Sequence, residues 1–178
     1  MRARDLGVVL VGLILVAAGL AYYLTSTATG TLAIQVRDLP ADWTHVTVTF
    51  SQVSVHLANS GNESGWISLE LKETQIDFLS VRNVTTLLAL DRVAPGTYTQ
   101  IRIAVSSVRG VLSAGSPVTM SVPDGMLKTT TPFTLRGGGT TTVTFDLDLA
   151  RSIHEANGMW IFTPVLGQVD VGWAPASS

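Results

Sequence analysis

Residues Val46–Leu57 read VTVTFSQVSVHL, and the spacing of their apolar side chains decides the fold class. Val46, Val48 and Phe50 keep even positions, whereas Val53, Val55 and Leu57 take odd ones. Alternation of period two places successive side chains on opposite faces of a strand, so each half of this segment presents one apolar face. The parity slips at Ser51–Gln52, which predicts a β-bulge there. By the same parity His45 and His56 lie outside the inward rows and read as solvent-facing polar residues.

The pattern recurs on both sides of this stretch. Leu32, Ile34 and Val36 alternate with Ala33, Gln35 and Arg37, and Ile101, Ile103 and Val105 form another inward row. Val143, Phe145, Leu147 and Leu149 face one way while Thr142, Thr144, Asp146 and Asp148 face the other, giving a sheet with one wet face. Further strands are expected at Trp66–Leu71, Ile76–Leu79, Val118–Val122, Phe133–Arg136 and Trp160–Val171. Turn chemistry separates them at Asn59–Asn62, Pro95–Gly96, Pro123–Gly125 and Gly137–Gly139, the last read as a hairpin loop. Val84–Leu90, VTTLLAL, is short enough for a buried strand or two helical turns, and Ser152–Asn157 for one more turn. Without βαβ alternation a doubly wound sheet is excluded. The fold class is all-β: an antiparallel β-sandwich of 8 to 10 short strands, immunoglobulin-like or transthyretin-like, preceded by one transmembrane helix.

That helix is the most apolar part of the chain. Of 178 residues 46% are hydrophobic and 13% charged, against roughly 25% charged in ordinary soluble domains. The excess sits in Leu6–Leu24, LGVVLVGLILVAAGLAYYL, which is 19 residues without a charge. A helix of that length nearly matches a hydrocarbon core of roughly 30 Å, whereas the apolar region of a cleaved signal peptide is usually about 7 to 15 residues. Arg2 and Arg4 precede the span and Tyr22 and Tyr23 close it, so residues 1–5 are expected in the cytoplasm and the chain outside from about Thr25. Cleavage near Ser26-Thr27-Ala28 is the alternative, and it exports the domain equally. Residues 25–30 form a short polar stem, 31–173 the sandwich and 174–178 a tail. The bilayer is thus one expected partner, with the domain held close to its outer surface.

Setting aside Arg2, Arg4 and Asp5, the exported part has 9 basic and 12 acidic residues, a net charge of −3 that argues against nucleic acid. Zero cysteines exclude disulfide scaffolds, thiolate metal sites, Cys nucleophiles and a lipidated Cys anchor.

Several segments together resemble a known family. They are GTLAIQVRDLPADWTHVTVTFSQVSVH from Gly30, GWISLEL from Gly65, IDFLSV from Ile76, LLAL from Leu87, APGTYTQIRIAVSS from Ala94 and TTTVTFDLDLARSI from Thr140. The chain from Thr31 to Val171 resembles the secreted bacterial and archaeal domains catalogued as domain of unknown function 4382. Its most specific piece is Pro95-Gly96-Thr97-Tyr98-Thr99-Gln100-Ile101-Arg102. The resemblance implies an extracytoplasmic β-sandwich and carries over no catalytic residue.

Candidate chemistry is sparse. His45, His56 and His154 are the only histidines, and His154-Glu155 lacks the second histidine of a zinc-protease helix. Asp146 and Asp148 share a strand face and are the candidate metal ligands, with Asp38, Asp42, Asp91 or Asp170 as possible additions. As an acid/base pair they would sit on a flat surface, which argues against glycosidase chemistry. Gly137-Gly138-Gly139 opens no helix and so makes no phosphate cradle. Trp43, beside Asp38 and Asp42 in a loop, is the first candidate contact residue, ahead of Trp66, Trp160 and Trp173 at strand edges, the alternative being that such rings plug the ends of the sandwich. Asn62 and Asn83 begin glycosylation sequons. The resulting expectation is a non-enzymatic, single-pass, cofactor-free interaction or structural module of the cell envelope with a protein partner. A carbohydrate- or metal-ion-binding domain is the alternative, and a strand-exchange filament subunit the third, disfavoured by the polar stem.

Overall fold

The computed structural model describes residues 29–38, 43–61, 64–80 and 85–176, with the side chains of Arg37 and Asp38 left aside. Leu6–Leu24, Asp42, Asn62 and Asn83 lie outside the described residues. No helix among the described residues is long and apolar enough to cross a membrane.

Among the described residues thirteen strands and one short helix follow in order. They are β1 (Gly30–Asp38), β2 (Trp43–Leu57), β3 (Trp66–Leu69), β4 (Gln75–Asp77), β5 (Thr86–Val93), β6 (Gly96–Leu112) and β7 (Pro117–Met120). Then come β8 (Met126–Thr129), β9 (Phe133–Leu135), β10 (Gly139–Leu147), α1 (Leu149–Ser152), β11 (Ile153–Ala156), β12 (Met159–Phe162) and β13 (Leu166–Pro175). Four strands form one sheet in the order β13-β10-β1-β5. Seven form the other: β3-β2-β6-β7, with β4 on β2 and both β8 and β9 on β6. A small hairpin, β11-β12, joins β7 through Ser121 and Ile161.

The two long strands organise the larger sheet. β2 has 15 residues and β6 has 17, and they pair antiparallel along nearly their whole length. Each is long enough to template several short partners on its free edge, β4 then β3 along β2, and β9, β8 then β7 along β6. The predicted slip is present: Ser51 and Ser106 stand outside the pairing, and Ser51 and Gln52 are two consecutive exposed residues where the buried parity changes. The bulge divides the sheet into two halves with separate edge strands.

One core joins the sheets. Val46, Val48, Val53, Val55, Ile101 and Ile103 from the larger sheet and Leu32, Ile34, Val143 and Phe145 from the smaller belong to a single buried cluster. The β10 parity is as expected, Val143, Phe145, Leu147 and Leu149 being buried between half-buried polar neighbours. Tyr98, fully buried, stacks on Phe133 at 5.4 Å and donates from its hydroxyl to the Ala94 carbonyl oxygen at 2.8 Å. That bond fastens the turn before β6, and burial pushes the phenol pKa up.

Four expectations need correction. Among the described residues every strand pair is antiparallel except β1–β10, which runs parallel, because the chain traverses the larger sheet between them and needs no hairpin. Gly137-Gly138 is a passage between sheets, since β9 pairs with β6 and β10 with β1 and β13. Residues 153–156 are a strand, and the helical turn lies before them at α1. The segment from Trp160 to Val171 is two strands, broken at residues 163–165. The hairpin before that break turns on Asn157 and Gly158, both at positive φ of 54° and 74°, the geometry that Asn-Gly favours in a two-residue turn.

Candidate functional site

The outward side chains of the larger sheet fall into rows fixed by register. Ser68, Ser54, Arg102 and Lys128 stand side by side on β3, β2, β6 and β8. Trp66, His56 and Gln100 make the adjoining row on β3, β2 and β6. Laterally opposed Cβ atoms in such a sheet lie about 5 Å apart, so these residues form one continuous patch.

Within the patch the contacts are specific. The Arg102 guanidinium carbon sits 3.9 Å from the Trp66 ring centroid, and its Nε donates to Gln100 Oε1 at 3.1 Å. The His56 ring meets Trp66 at 4.9 Å between centroids. His56 Nε2 lies 3.1 Å from the Ser64 carbonyl oxygen and 3.3 Å from that of Gly61, while Nδ1 lies 3.3 Å from Thr99 Oγ1. Carbonyls only accept, so Nε2 carries a proton and, in the neutral ring, Nδ1 accepts from the threonine hydroxyl. Histidine thereby ties the loop before β3 to β2 and supports one side of Trp66.

Two depressions meet at this cluster, of about 190 Å³ and 760 Å³. Trp66 and Arg102 line both; Ser54, Ser68 and Gln52 line the smaller, Thr99, Gln100 and Thr130 the larger. Among the described residues no carboxylate lines either one. Among the described residues neither Arg102 nor Lys128 pairs with an acid. The chemistry offered is a fixed guanidinium, a nearby ammonium, an aromatic ring and many hydroxyl and amide groups.

The other half of the sheet is built differently. His45 Nδ1 lies 2.6 Å from Asp77 Oδ2, and Asp77 Oδ1 accepts from the backbone N–H groups of Val46 at 3.1 Å and Leu79 at 3.2 Å. Burial by itself would raise the Asp77 pKa, but the His45 bond, the two backbone donors and the His45 charge together lower it below the usual 3.8. This network pins β4 and the turn after it to β2 and has the character of a structural clasp.

The residues singled out by sequence are not brought together. Trp43 is a correction: it is 7% exposed, packs edge-on against Trp160 at 4.8 Å, and fills the space left by Gly110. A Cβ on Gly110 would meet the Trp43 ring at 2.5 Å and the Met120 methyl carbon at 2.7 Å, so the ring lies against bare backbone. Its large apolar surface belongs to the core and is unavailable to a partner. Asp148 Oδ1 accepts from the Arg151 N–H at 3.0 Å and caps α1, while Asp146 remains on β10. Among the described residues no group of three or more His, Asp or Glu is placed to hold a metal ion. His154 and Glu155 are exposed on β11. Trp173 is 44% exposed on β13 beside Arg136.

Trp66 was visible as a strand-edge aromatic, but Arg102 carried no signal beyond its outward parity. Their meeting depends on the register of β3, β2 and β6, which no local motif encodes.

A family model described as a domain of unknown function (DUF4382) matches residues 29–164. No curated protein matches the chain. Among solved structures, a candidate cell adhesion protein from Bacteroides eggerthii is 13% identical with a TM-score of 0.29, over 83% of this chain and 55% of that one. A second candidate cell adhesion protein, from Bacteroides ovatus, is 9% identical with a TM-score of 0.25, over 80% of this chain and 45% of that one. This chain therefore spans about half the length of those structures, and at such TM-scores the likeness carries no argument.

Proposed function

Because this chain belongs to the DUF4382 family, whose description names no activity, we propose a function from its own surface: a membrane-tethered extracytoplasmic binding module. It holds a component of the cell envelope on the outer face of its larger sheet and performs no chemistry on it. The observation that supports this reading is the Trp66–Arg102–His56 cluster at the junction of two depressions. A strand face that served only to meet solvent would not need an aromatic ring with its two neighbours ordered against it. Large aromatics and arginine together dominate the energetics of recognition surfaces.

The tether is Leu6–Leu24, supported by its uncharged length and by Arg2 and Arg4 before it. Protease added to spheroplasts should digest the domain while leaving a short membrane-bound fragment. Release of the mature domain in soluble form would contradict the tether.

Capture from native membranes tests the binding face. Full-length protein with Trp66→Ala and Arg102→Ala together should retain its far-UV circular dichroism and lose the envelope components that the unaltered chain retains. Unchanged capture would place the contact elsewhere.

A further inference from the structure

We infer that this face binds an acidic polysaccharide, with Arg102 as a preformed fork for the carboxylate of a uronic acid residue. The inference rests on the proposed binding face and names its ligand. An isolated arginine side chain loses rotamer entropy when it grips an anion. Here the guanidinium is already laid on Trp66 at 3.9 Å and its Nε is committed to Gln100, so the two terminal amino groups remain as a planar pair of donors. That geometry matches the two oxygens of a carboxylate.

Charge and lining agree with that ligand. Lys128 stands next to Arg102 in register, and among the described residues no acid lines the depressions, so their described lining is cationic on a domain whose net charge is negative. Ser54, Ser68, Thr99, Thr130 and Gln52 supply hydroxyl and amide groups around the fork, suited to the hydroxyls of pyranose rings. An acidic peptide is the competing carrier of carboxylates. It gains affinity from apolar anchors in closed pockets or from pairing with a sheet edge, and this site is an open polar depression on a sheet face.

The test is a titration of the full-length protein in mild detergent with trigalacturonate and trimannuronate, each compared with its methyl ester, and with an oligoglutamate peptide. At least one uronate should bind, its ester should bind about ten-fold more weakly or worse, and affinity should fall as salt rises. Arg102→Gln should weaken binding about ten-fold or more, and Arg102→Lys should fail to restore it because an ammonium lacks the fork. Lys128→Gln, a rim charge, should cost only about three-fold. All three variants should keep the unaltered circular dichroism spectrum.

Equal binding of acid and ester would overturn the carboxylate fork. Arg102-dependent binding of oligoglutamate with no uronate bound would overturn the polysaccharide in favour of a protein. If no probe binds while capture from membranes still requires Trp66, the ligand class is wrong and the binding face stands. When capture is also indifferent to Trp66, both readings fall.

Discussion

Trp43 and Trp66 stand at opposite ends of β2, one as its first residue and the other across from His56 on β3, and they do opposite things. Trp43 points inward, packs against Trp160 and bare backbone at Gly110, and closes the core. Trp66 points outward, holds Arg102 against its ring and lines both depressions. On β2 two register shifts lie between Trp43 and His56, at Thr44 and at Ser51; each resets which side chains face the core, and together they leave Trp43 inward and His56, with Trp66 beside it, outward. Proximity to a loop says little about exposure; strand parity and register decide it.

The largest effect should follow from emptying the core end. Trp43→Ala should lower the unfolding free energy by about 3–5 kcal/mol, measured by urea denaturation, with no direct effect on the outer face. Gly110→Ala should destabilise by about 1–3 kcal/mol, because the added Cβ would meet the Trp43 ring at 2.5 Å. Combining the two should cost less than the sum of the single changes, since removing the ring relieves the clash, and full additivity would show that the two residues do not touch.

A smaller effect is expected at the His45–Asp77 clasp. Asp77→Asn should cost about 1 kcal/mol near neutral pH by weakening the hydrogen bonds its carboxylate accepts. The folded-state pKa of Asp77 is lowered, so its ionised form contributes stability that is present above the unfolded value, near 3.8, and is lost as pH falls through the folded value. The unaltered protein should therefore lose more stability than Asp77→Asn on acidification through that range. Parallel acid limbs would show that the clasp contributes nothing.

At the outer face the stability cost should be smallest. A cation–π contact near solvent is worth about 0.5–1 kcal/mol, so Trp66→Ala should destabilise by about that much while removing the recognition surface.

Much of this fold could be read from the chain. Alternation in Val46–Leu57 and Thr142–Leu149 gave the inward rows and located the bulge, because buried strand faces impose a strict period. Short strands such as Met126–Thr129 were not legible, since four residues carry no period and owe their conformation to β6. The parallel β1–β10 pair was equally hidden, being a product of chain path. The Asn157-Gly158 turn was present in the sequence as a hairpin signal and would have made residues 153–156 a strand paired with the next one in place of a helical turn. At the site, the sequence left Trp43 between a contact residue and a plug of the sandwich because the glycine that receives it lies 67 residues away on β6. Arg102 was inconspicuous because its meaning comes from two neighbouring strands.

The contrast between the two tryptophans is tested most directly by urea unfolding of full-length Trp43→Ala and Trp66→Ala side by side, followed by far-UV circular dichroism. A midpoint lowered steeply by Trp43→Ala and only slightly by Trp66→Ala, with the same slope on denaturant, is the predicted result. Equal shifts, or a larger one for Trp66→Ala, would mean that Trp66 is a core residue and that the outer face is not built for binding.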